Sequence, residues 1–241
     1  MRVRKDDLKF HYGMQLVILA AGRGKRMLSL TESLPKPMLN VLGNNLIEHK
    51  LRILPKDIDE VIIVTGYLGE KISQHFGNSY NGLKIRYVKQ KELLGTAMAL
   101  REAEGMLKDR FMVMMGDDMY SREDVSSMLE HEWAILAKKV EKRTLGARII
   151  VDSNYRIRDI VEGVELKKGM LNNAGLYVLQ TVFFKYPIVQ IPSGEFGLPQ
   201  TLAKVAKDYD VGVVLSKSWQ QITTPDDLEK VAKHLSKNIG D

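Results

Sequence analysis

Residues 19–27 combine small residues with cations in a spacing that suits a phosphorylated ligand. Small residues allow backbone N–H groups to approach a phosphate or a base closely, and neighbouring cations add positive charge to the same loop. The small residues are Ala20, Ala21, Gly22 and Gly24. The cations are Arg23, Lys25 and Arg26. The pattern therefore predicts an anion-binding turn, although a plain glycine turn after a strand has the same appearance.

Two standard phosphate-binding motifs do not fit this stretch. A dinucleotide-binding GxGxxG needs a third glycine, and a P-loop needs Gly-Lys followed by Ser or Thr; the sequence has neither here. What remains is a cationic glycine turn of another kind.

A lysine and an aspartate elsewhere in the chain could meet such an anion. Lys36 stands between Pro35 and Pro37, and each proline restricts the backbone around it, so we expect the lysine on a stiff arm. Asp117 and Asp118 follow the apolar run 111–115 and Gly116. An aspartate that ends a buried strand is either a turn residue or a ligand for a hard cation such as Mg²⁺.

The elements that must position these residues alternate along the first half of the chain. Apolar runs at 15–20, 61–65, 84–88 and 111–115 predict buried strands, and amphipathic stretches at 46–53, 68–76 and 96–107 predict helices between them. Continuous apolar strands separated by helices indicate a doubly wound α/β fold with a mostly parallel sheet. Ligands bind such sheets at the carboxyl ends of the strands.

The second half of the chain has a different pattern. Short strands are predicted at 133–140, 147–151, 157–161 and 175–179, with turn residues between them, and helices at 196–207 and 225–237. This spacing is typical of antiparallel additions to a sheet or of a β-rich flap.

Composition narrows the class of protein. The chain has 241 residues, of which 44% are hydrophobic and 27% charged, and it has no cysteine. Disulfides, thiolate metal sites and cysteine nucleophiles are therefore excluded, and a reducing compartment is suited. No apolar stretch approaches the ~20 residues that cross a bilayer, and residues 1–13 lack the apolar run of a secretory signal, so we expect a cytoplasmic protein without membrane contact.

The net charge of +6 favours anionic partners. The basic runs 138–143 and 167–168 contain no aromatic residue that would stack on bases, so we expect no nucleic acid as a partner. Small phosphorylated molecules are the favoured class.

These segments together resemble the sugar-nucleotide pyrophosphorylases, the sugar-1-phosphate nucleotidyltransferases that make NDP-sugars. The resemblance lies first in LAAGRGKRM and LPKPMLNVLGNNLIEH, and continues in order through residues 90–100, 116–118, 160–162, 173–177, 194–195 and 219–228. It spans about 14–235. It implies the nucleotide-diphospho-sugar transferase-like fold: a single domain at 14–241 with a nucleotide-binding half at 14–130, an acceptor-binding half at 131–241, and an N-terminal extension at 1–13.

The resemblance also implies residue roles. Arg26 would hold the leaving phosphates, and Lys36 would meet the α-phosphate and the acceptor phosphate. Asp117 would hold Mg²⁺, the implied cofactor, with Gln221 or Asp118 as a further ligand. The implied nucleotide-binding residues are Leu19, Ala20, Ala21, Gly22, Gly24, Lys25, Gln90, Gly95 and Thr96. The implied acceptor-binding residues are Glu162, Asn173, Gly175 and Glu195.

Three departures from the family pattern fall in the second half. Gln221 replaces the aspartate expected as second metal ligand, Glu162-Gly163-Val164 replaces Glu-Lys-Pro, and Pro199-Gln200 replaces Thr-Asp. The second departure removes a cation beside the acceptor phosphate. Lys167 or Lys168 could supply it from a shifted position, or both could be solvated surface residues.

Two functions remain open from the sequence. One is an enzyme that uses a nucleoside triphosphate, with UTP, dTTP or CTP favoured by residues 93–97 (LLGTA), and a sugar-1-phosphate or polyol phosphate as acceptor. The other is a non-catalytic nucleotide-sugar-binding regulatory module of the same fold. A homo-oligomer is possible in either case.

Overall fold

The computed structural model describes residues 13–238, and side chains as far as residue 236. Apart from Gly13, the predicted extension 1–13 lies outside the described residues. A ten-stranded mixed sheet forms the centre of the described chain, with helices packed on both faces.

The helices are short, and several are 3-10 turns. The α-helices are α1 (Leu46–Ile53), α2 (Gly69–Phe76), α3 (Thr96–Arg101), α4 (Arg122–Met128), α5 (Leu198–Val205) and α6 (Pro225–Asn238). The 3-10 helices are Lys25–Thr31, Lys36–Met38, Glu104–Met106 and Thr181–Lys185.

The strands fall into one large sheet and three two-stranded pairs. The large sheet contains β1 (Met14–Ala20), β4 (Ile58–Thr65), β5 (Ser79–Tyr80), β6 (Leu83–Lys89), β7 (Arg110–Met115), β9 (Ala134–Lys139), β10 (Thr144–Val151), β11 (Ile157–Leu166), β12 (Leu171–Gln180) and β15 (Gly212–Leu215). The pairs contain β2 (Asn40–Val41), β3 (Asn44–Asn45), β8 (Asp118–Met119), β13 (Val189–Gln190), β14 (Phe196–Gly197) and β16 (Gln220–Gln221).

The centre of the sheet is parallel and buried on both faces. Strand β1 lies between β4 and β7 and runs parallel to both, and β6 runs parallel to β4. Leu16, Val17 and Ile18 of β1 are fully buried; Val17 faces one core cluster, and its two neighbours face the other. Because helices cover both faces of the sheet, the side chains on both faces of these strands are buried. This explains why their sequences are continuous apolar runs. Leu19 lies opposite Val64 and Met115, so the carboxyl ends of the three strands meet at one edge.

The second half adds antiparallel strands to this centre. Strand β12 runs antiparallel to β7, with Leu176 opposite Met114, and its first residues extend past the end of β7. There Asn172 pairs with Arg148 of β10, which forms an antiparallel ladder with β11. The β10–β11 ladder thus extends the sheet at the edge where the parallel strands end. The predicted α/β class, with a mostly parallel core and antiparallel additions, is confirmed.

Several predicted elements need correction. The helix predicted at 96–107 ends at Arg101 and continues as a 3-10 turn that contains Gly105, a residue that weakens helices. Helix α4 and strand β15 were not predicted. Helix α4 has seven residues and depends on a capping box between Ser121 and Asp124, while β15 depends on pairing with the distant β9.

The chain end returns to the first half. Strand β16 pairs with β8, which places Gln221 opposite Asp118. A third core cluster contains Met27, Leu46, Ile222 and Val231, and so joins helix α6 to the segment after the glycine turn. Among the described helices, none is both long and apolar enough to span a membrane.

Candidate active site

The glycine turn follows β1 at the carboxyl edge of the sheet. Leu19 is half-buried and Ala20 and Ala21 are buried, so these three residues fix the start of the turn. The Ala21 carbonyl accepts a hydrogen bond from Tyr67 N at 3.1 Å, and the Leu19 carbonyl accepts one from Gly116 N at 2.9 Å. Both neighbouring strand ends are therefore tied to the turn.

The two glycines of the turn differ in what surrounds them. Gly24 has φ of +64°, and a Cβ there would lie 2.9 Å from Lys36 Cβ, so both its backbone conformation and its packing require glycine. A Cβ on Gly22 would meet no atom within 4 Å. Gly22 is exposed, which leaves room for a ligand against its backbone.

The three cations of the turn are exposed. The Arg23 guanidinium lies 5.0 Å from the centre of the Tyr67 ring, a cation–π contact. Lys25 and Arg26 begin the 3-10 helix, and within the described residues neither forms an ion pair. Positive charge therefore remains available at this edge.

Lys36 and Asp117 meet directly. Lys36 Nζ lies 2.6 Å from Asp117 Oδ2 and also donates to the Ile222 carbonyl. Lys36 is 5% exposed, whereas the Asp117 side chain is 41% exposed. The expected stiff arm is thus a buried 3-10 turn that aims the lysine inward at the aspartate. This pair joins residues 81 positions apart in the sequence.

Lys50 is a second buried lysine, and sequence reasoning missed it. Its Nζ donates to the Gly116 carbonyl at 2.9 Å and to the Leu46 carbonyl at 3.2 Å, and the residue is 1% exposed. Burial lowers the pKa of Lys50 to about 8, while Asp117 and Asp118 act in the opposite direction. Lys50 shares the apolar face of α1, a position that could have indicated a buried cation.

Asp118 lies behind Asp117 and is enclosed. Trp219 Nε1 donates to Asp118 Oδ2 at 3.1 Å, and burial together with the Asp117 carboxylate raises the pKa of Asp118 to about 8. Gly175 has φ of +69°, and a Cβ there would lie 3.2 Å from the same Oδ2. Asp118 therefore faces protein, and Asp117 faces solvent.

The oxygen donors at this edge match the ligand preference of a hard cation. The exposed Asp117 carboxylate and the exposed Gln221 side chain belong to neighbouring segments, because Gln221 pairs with Asp118 in the β8–β16 ladder. Within residues 13–238, no three His, Cys, Asp or Glu side chains form a cluster. A magnesium ion here would have few protein ligands and would complete its shell with water and phosphate oxygens, as Mg²⁺ usually does.

The predicted base-binding residues form one loop that contacts the second half. Gln90 is buried, and its Nε2 donates to the Gly95 carbonyl at 3.3 Å. Gly95 has φ of +102°, and a Cβ there would lie 2.5 Å from the Phe196 carbonyl oxygen. Thr96 Oγ1 accepts a hydrogen bond from Leu198 N at 3.0 Å.

The predicted acceptor residues also lie near one another. Asn173 Nδ2 donates to the Tyr177 hydroxyl at 2.8 Å, and Asn173 Oδ1 accepts from Gly175 N at 2.9 Å. Loss of water around Glu162 and the Glu195 carboxylate both raise the pKa of Glu162, although its side chain is exposed at the surface.

Gln200 is a buried neighbour of Glu162. Its Nε2 donates to the Ile160 carbonyl at 3.2 Å, and its side chain lies close enough to Glu162 to oppose the rise in the pKa of that carboxyl. Gln200 is 8% exposed. Gln200, one of the residues that depart from the family pattern, is therefore buried beside a predicted acceptor-binding residue.

The fold thus brings the predicted residues into three adjoining groups. The turn, Lys36 and Asp117 form the first, the 90–96 loop forms the second, and Glu162 with Asn173, Gly175 and Glu195 forms the third. Their roles in binding stay predictions.

Such an edge belongs to an α/β protein with a cationic glycine turn, and comparison with known proteins places the chain in a family. The model of the nucleotidyl transferase family matches residues 15–238. The chain therefore belongs to the nucleotidyl transferase family, and the resemblance drawn from the sequence is confirmed.

Similar proteins carry related names. Bifunctional protein GlmU of Methanocaldococcus jannaschii is 29% identical over 231 residues, which cover 94% of this chain and 55% of that protein. UTP–glucose-1-phosphate uridylyltransferase AglF of Haloferax volcanii is 28% identical over 92% of this chain and 96% of its own length. D-glycero-alpha-D-manno-heptose 1-phosphate guanylyltransferase of Aneurinibacillus thermoaerophilus is 28% identical over 94% and 100%. The chain spans about half the length of the GlmU relatives.

Proposed function

We propose that the chain is a magnesium-dependent nucleotidyltransferase that makes an NDP-sugar or NDP-polyol and pyrophosphate. Its substrates would be a nucleoside triphosphate and a sugar-1-phosphate or polyol phosphate. The observation that carries the proposal is the Lys36–Asp117 pair at the carboxyl edge, directly against the glycine turn. Family membership and the names of AglF and the heptose 1-phosphate guanylyltransferase support it.

The reaction forms one bond and breaks another. An oxygen of the acceptor phosphate attacks the α-phosphorus, and the bond from that phosphorus to the bridging oxygen of the pyrophosphate breaks. The electron pair leaves with pyrophosphate. A sugar phosphate is already an oxyanion near neutral pH, so no side chain has to remove a proton.

The obstacle is the repulsion between two polyanions. Lys36 brings a buried ammonium to the α-phosphate, where low exposure strengthens its field. Arg26 and Lys25 contribute exposed positive charge for the β- and γ-phosphates. The backbone of Gly22 allows close approach of the nucleotide, so catalysis rests on positioning and on charge neutralisation.

Asp117 would hold the metal, with Gln221 as a further oxygen ligand; Asp118, the other predicted ligand, is buried and accepts a hydrogen bond from Trp219. When bound, Mg²⁺ supplies charge neutralisation for the phosphates. Lys36 already balances Asp117 without it, and the second Asp117 oxygen remains free of protein partners among the described residues.

The base and the acceptor are separate parts of the proposal. Residues 93–97 favour a pyrimidine triphosphate, UTP, dTTP or CTP. The two relatives with printed substrates differ, one being a uridylyltransferase and the other a guanylyltransferase, so all four bases belong in the test.

A pyrophosphate-release assay tests the function. The chain is incubated with each of four triphosphates, Mg²⁺ and a panel of sugar-1-phosphates and polyol phosphates. We expect turnover with at least one pair, and its loss in Asp117→Ala. The matched control is Asp57→Ala, an exposed aspartate with no ion pair among the described residues. Tight nucleotide binding without turnover across the panel would favour the regulatory module instead.

A further inference from the structure

A groove lined by lysines adjoins the strand ends that carry Asp117, Asp118 and Gln221, the proposed metal edge, on the side of the second half. Its volume is about 300 Å³. The lining combines the end of β9 and the turn after it with the starts of β10 and β12 and with β16. The residues that line it include Lys138, Lys139, Lys142, Asn172, Trp219 and Gln221.

Two of these residues connect the groove to the site already described. Trp219 donates to the Asp118 carboxylate, and Gln221 pairs with Asp118 and is a candidate metal ligand. Lys138 and Asn172 are direct partners in the β9–β12 ladder. Side chains of paired residues lie on the same face of a sheet. The Lys138 side chain and the Asn172 amide therefore lie on one face, and both residues line the groove together with Trp219.

The charge in the groove is unbalanced. Among the described residues, Lys138, Lys139 and Lys142 have no acidic side chain within 4 Å. Two arginines of the adjoining β10–β11 region are paired, since Arg143 contacts Glu165 and Arg158 contacts Asp152. One carboxylate, Glu141, lines the groove beside the three lysines, which leaves an excess of positive charge there.

The same half of the chain lacks a cation that the family pattern includes. The acceptor segment reads Glu162-Gly163-Val164 and lacks the lysine expected beside the acceptor phosphate. Lys167 and Lys168 lie exposed in the turn between β11 and β12, outside the lining of the groove.

We propose that this groove binds the anionic group of the acceptor, with Lys138 and Lys142 in place of the missing cation. The inference rests on the proposed function. The ligand is a phosphate monoester that reaches the metal edge past Gln221, while the glycine turn holds the triphosphate. Each lysine would form a charge-assisted hydrogen bond, which is worth about tenfold in affinity.

Kinetics with single variants test the inference. Lys138→Met and Lys142→Met keep most of the side-chain length and remove the charge. We expect each to raise the KM for the best acceptor of the panel about tenfold and to leave the KM for the triphosphate unchanged. Lys185→Met, an exposed lysine in the 3-10 helix after β12, is the matched control and should change neither. A raised triphosphate KM with an unchanged acceptor KM would assign the groove to the nucleotide and overturn the proposal.

A binding readout separates this inference from the proposed function. Lysine acylation followed by mass spectrometry measures the protection of each lysine by glucose 1-phosphate, with glucose and pyrophosphate as comparison ligands. Protection of Lys138 and Lys142 by glucose 1-phosphate alone supports the groove even if no pyrophosphate is released in the assay. Protection confined to Lys168, protection by pyrophosphate only, or no protection at these lysines would overturn it.

Discussion

The edge around Lys36 and the ladder of β10 and β11 place charged groups in opposite environments. At the edge, Lys36 and Lys50 are almost fully buried, and each ammonium has a defined partner. On the ladder, the Arg143 and Arg158 side chains are 76% and 67% exposed, and Leu145 is 72% exposed. Exposed ion pairs of this kind contribute little to stability.

The difference indicates where the sequence is free to change. Buried cations at the edge require exact partners, because an unpaired buried charge costs several kcal/mol. The exposed ladder imposes no such cost, so substitutions there alter a binding surface without unfolding the chain. Of the three departures from the family pattern, Glu162-Gly163-Val164 lies on the exposed strand β11 and agrees with this division. Gln221 lies at the edge itself and Pro199-Gln200 is buried, so the other two departures do not follow it.

Removing the buried charge at the edge should have the largest effect. Lys36→Met loses the ammonium that contacts Asp117 and that, under the proposed function, meets the phosphates. We therefore expect kcat to fall about 10²–10³-fold, the usual cost of one electrostatic stabiliser. Pyrophosphate release measures it, with exposed Lys56→Met as control. If Lys36→Met kept more than a tenth of the activity, the contrast between edge and ladder would fail.

The contact between the two halves comes next. Gly95→Ala forces a side chain into positive φ and against the Phe196 backbone, so the free energy of unfolding should fall by about 2–3 kcal/mol. Urea denaturation measures the change. Gly105→Ala is the matched control, since a Cβ there meets nothing within 4 Å and should change stability by less than about 1 kcal/mol. Equal effects of the two variants would mean that the halves pack loosely.

The buried acid should make stability depend on pH. Asp118 has its pKa raised from 3.8 to about 8, so between about pH 4 and 8 the folded chain binds more protons than the unfolded chain. The free energy of unfolding should therefore fall as pH rises through this window, by up to about 1.4 kcal/mol per unit. The pKa of Lys50 is lowered from 10.5 to about 8, so between about pH 8 and 10.5 the folded chain binds fewer protons than the unfolded chain. The free energy of unfolding should therefore rise with pH in that window.

Asp118→Asn isolates that contribution. The variant keeps the shape of the side chain but cannot titrate, so its free energy of unfolding should no longer fall between about pH 4 and 8. Urea denaturation at pH 5, 6, 7 and 8 measures the difference. Parallel profiles for the variant and the original chain would show that Asp118 titrates as an ordinary carboxylate, and the edge would then be less sealed than the ladder comparison requires.

The smallest effect should come from the exposed ladder of β10 and β11, where Glu162 lies. Glu162→Gln keeps the size of the side chain and would weaken the hydrogen bonds that the proposed function gives it to acceptor hydroxyls, so we expect the acceptor KM to rise about fivefold with stability unchanged. Glu165→Gln, on the same strand and paired with Arg143 at the surface, is the control. A change in the triphosphate KM instead would move Glu162 out of the acceptor group.

Local patterns predicted the parallel strands, because short continuous apolar runs such as 15–20 and 111–115 are typical of strands buried on both faces. They also indicated the turn and Asp117, since strand ends follow from the runs. The direction of Lys36 was not predictable: proline on both sides indicated stiffness, but its burial depends on the Ile222 carbonyl, 186 residues later. Lys50 and β15 were missed for the same reason, because their partners are distant in sequence.

The return of residues 219–222 to the edge has a consequence for synthesis. The glycine turn, Lys36 and Asp117 leave the ribosome well before Trp219 and Ile222 are made. Domains generally fold as units as the chain emerges, but here the Ile222 carbonyl that accepts from Lys36 and the Trp219 indole that donates to Asp118 are made long after Asp117, the other partner of Lys36. A nascent chain stalled before residue 219 would therefore hold Lys36 and Asp118 without these two contacts.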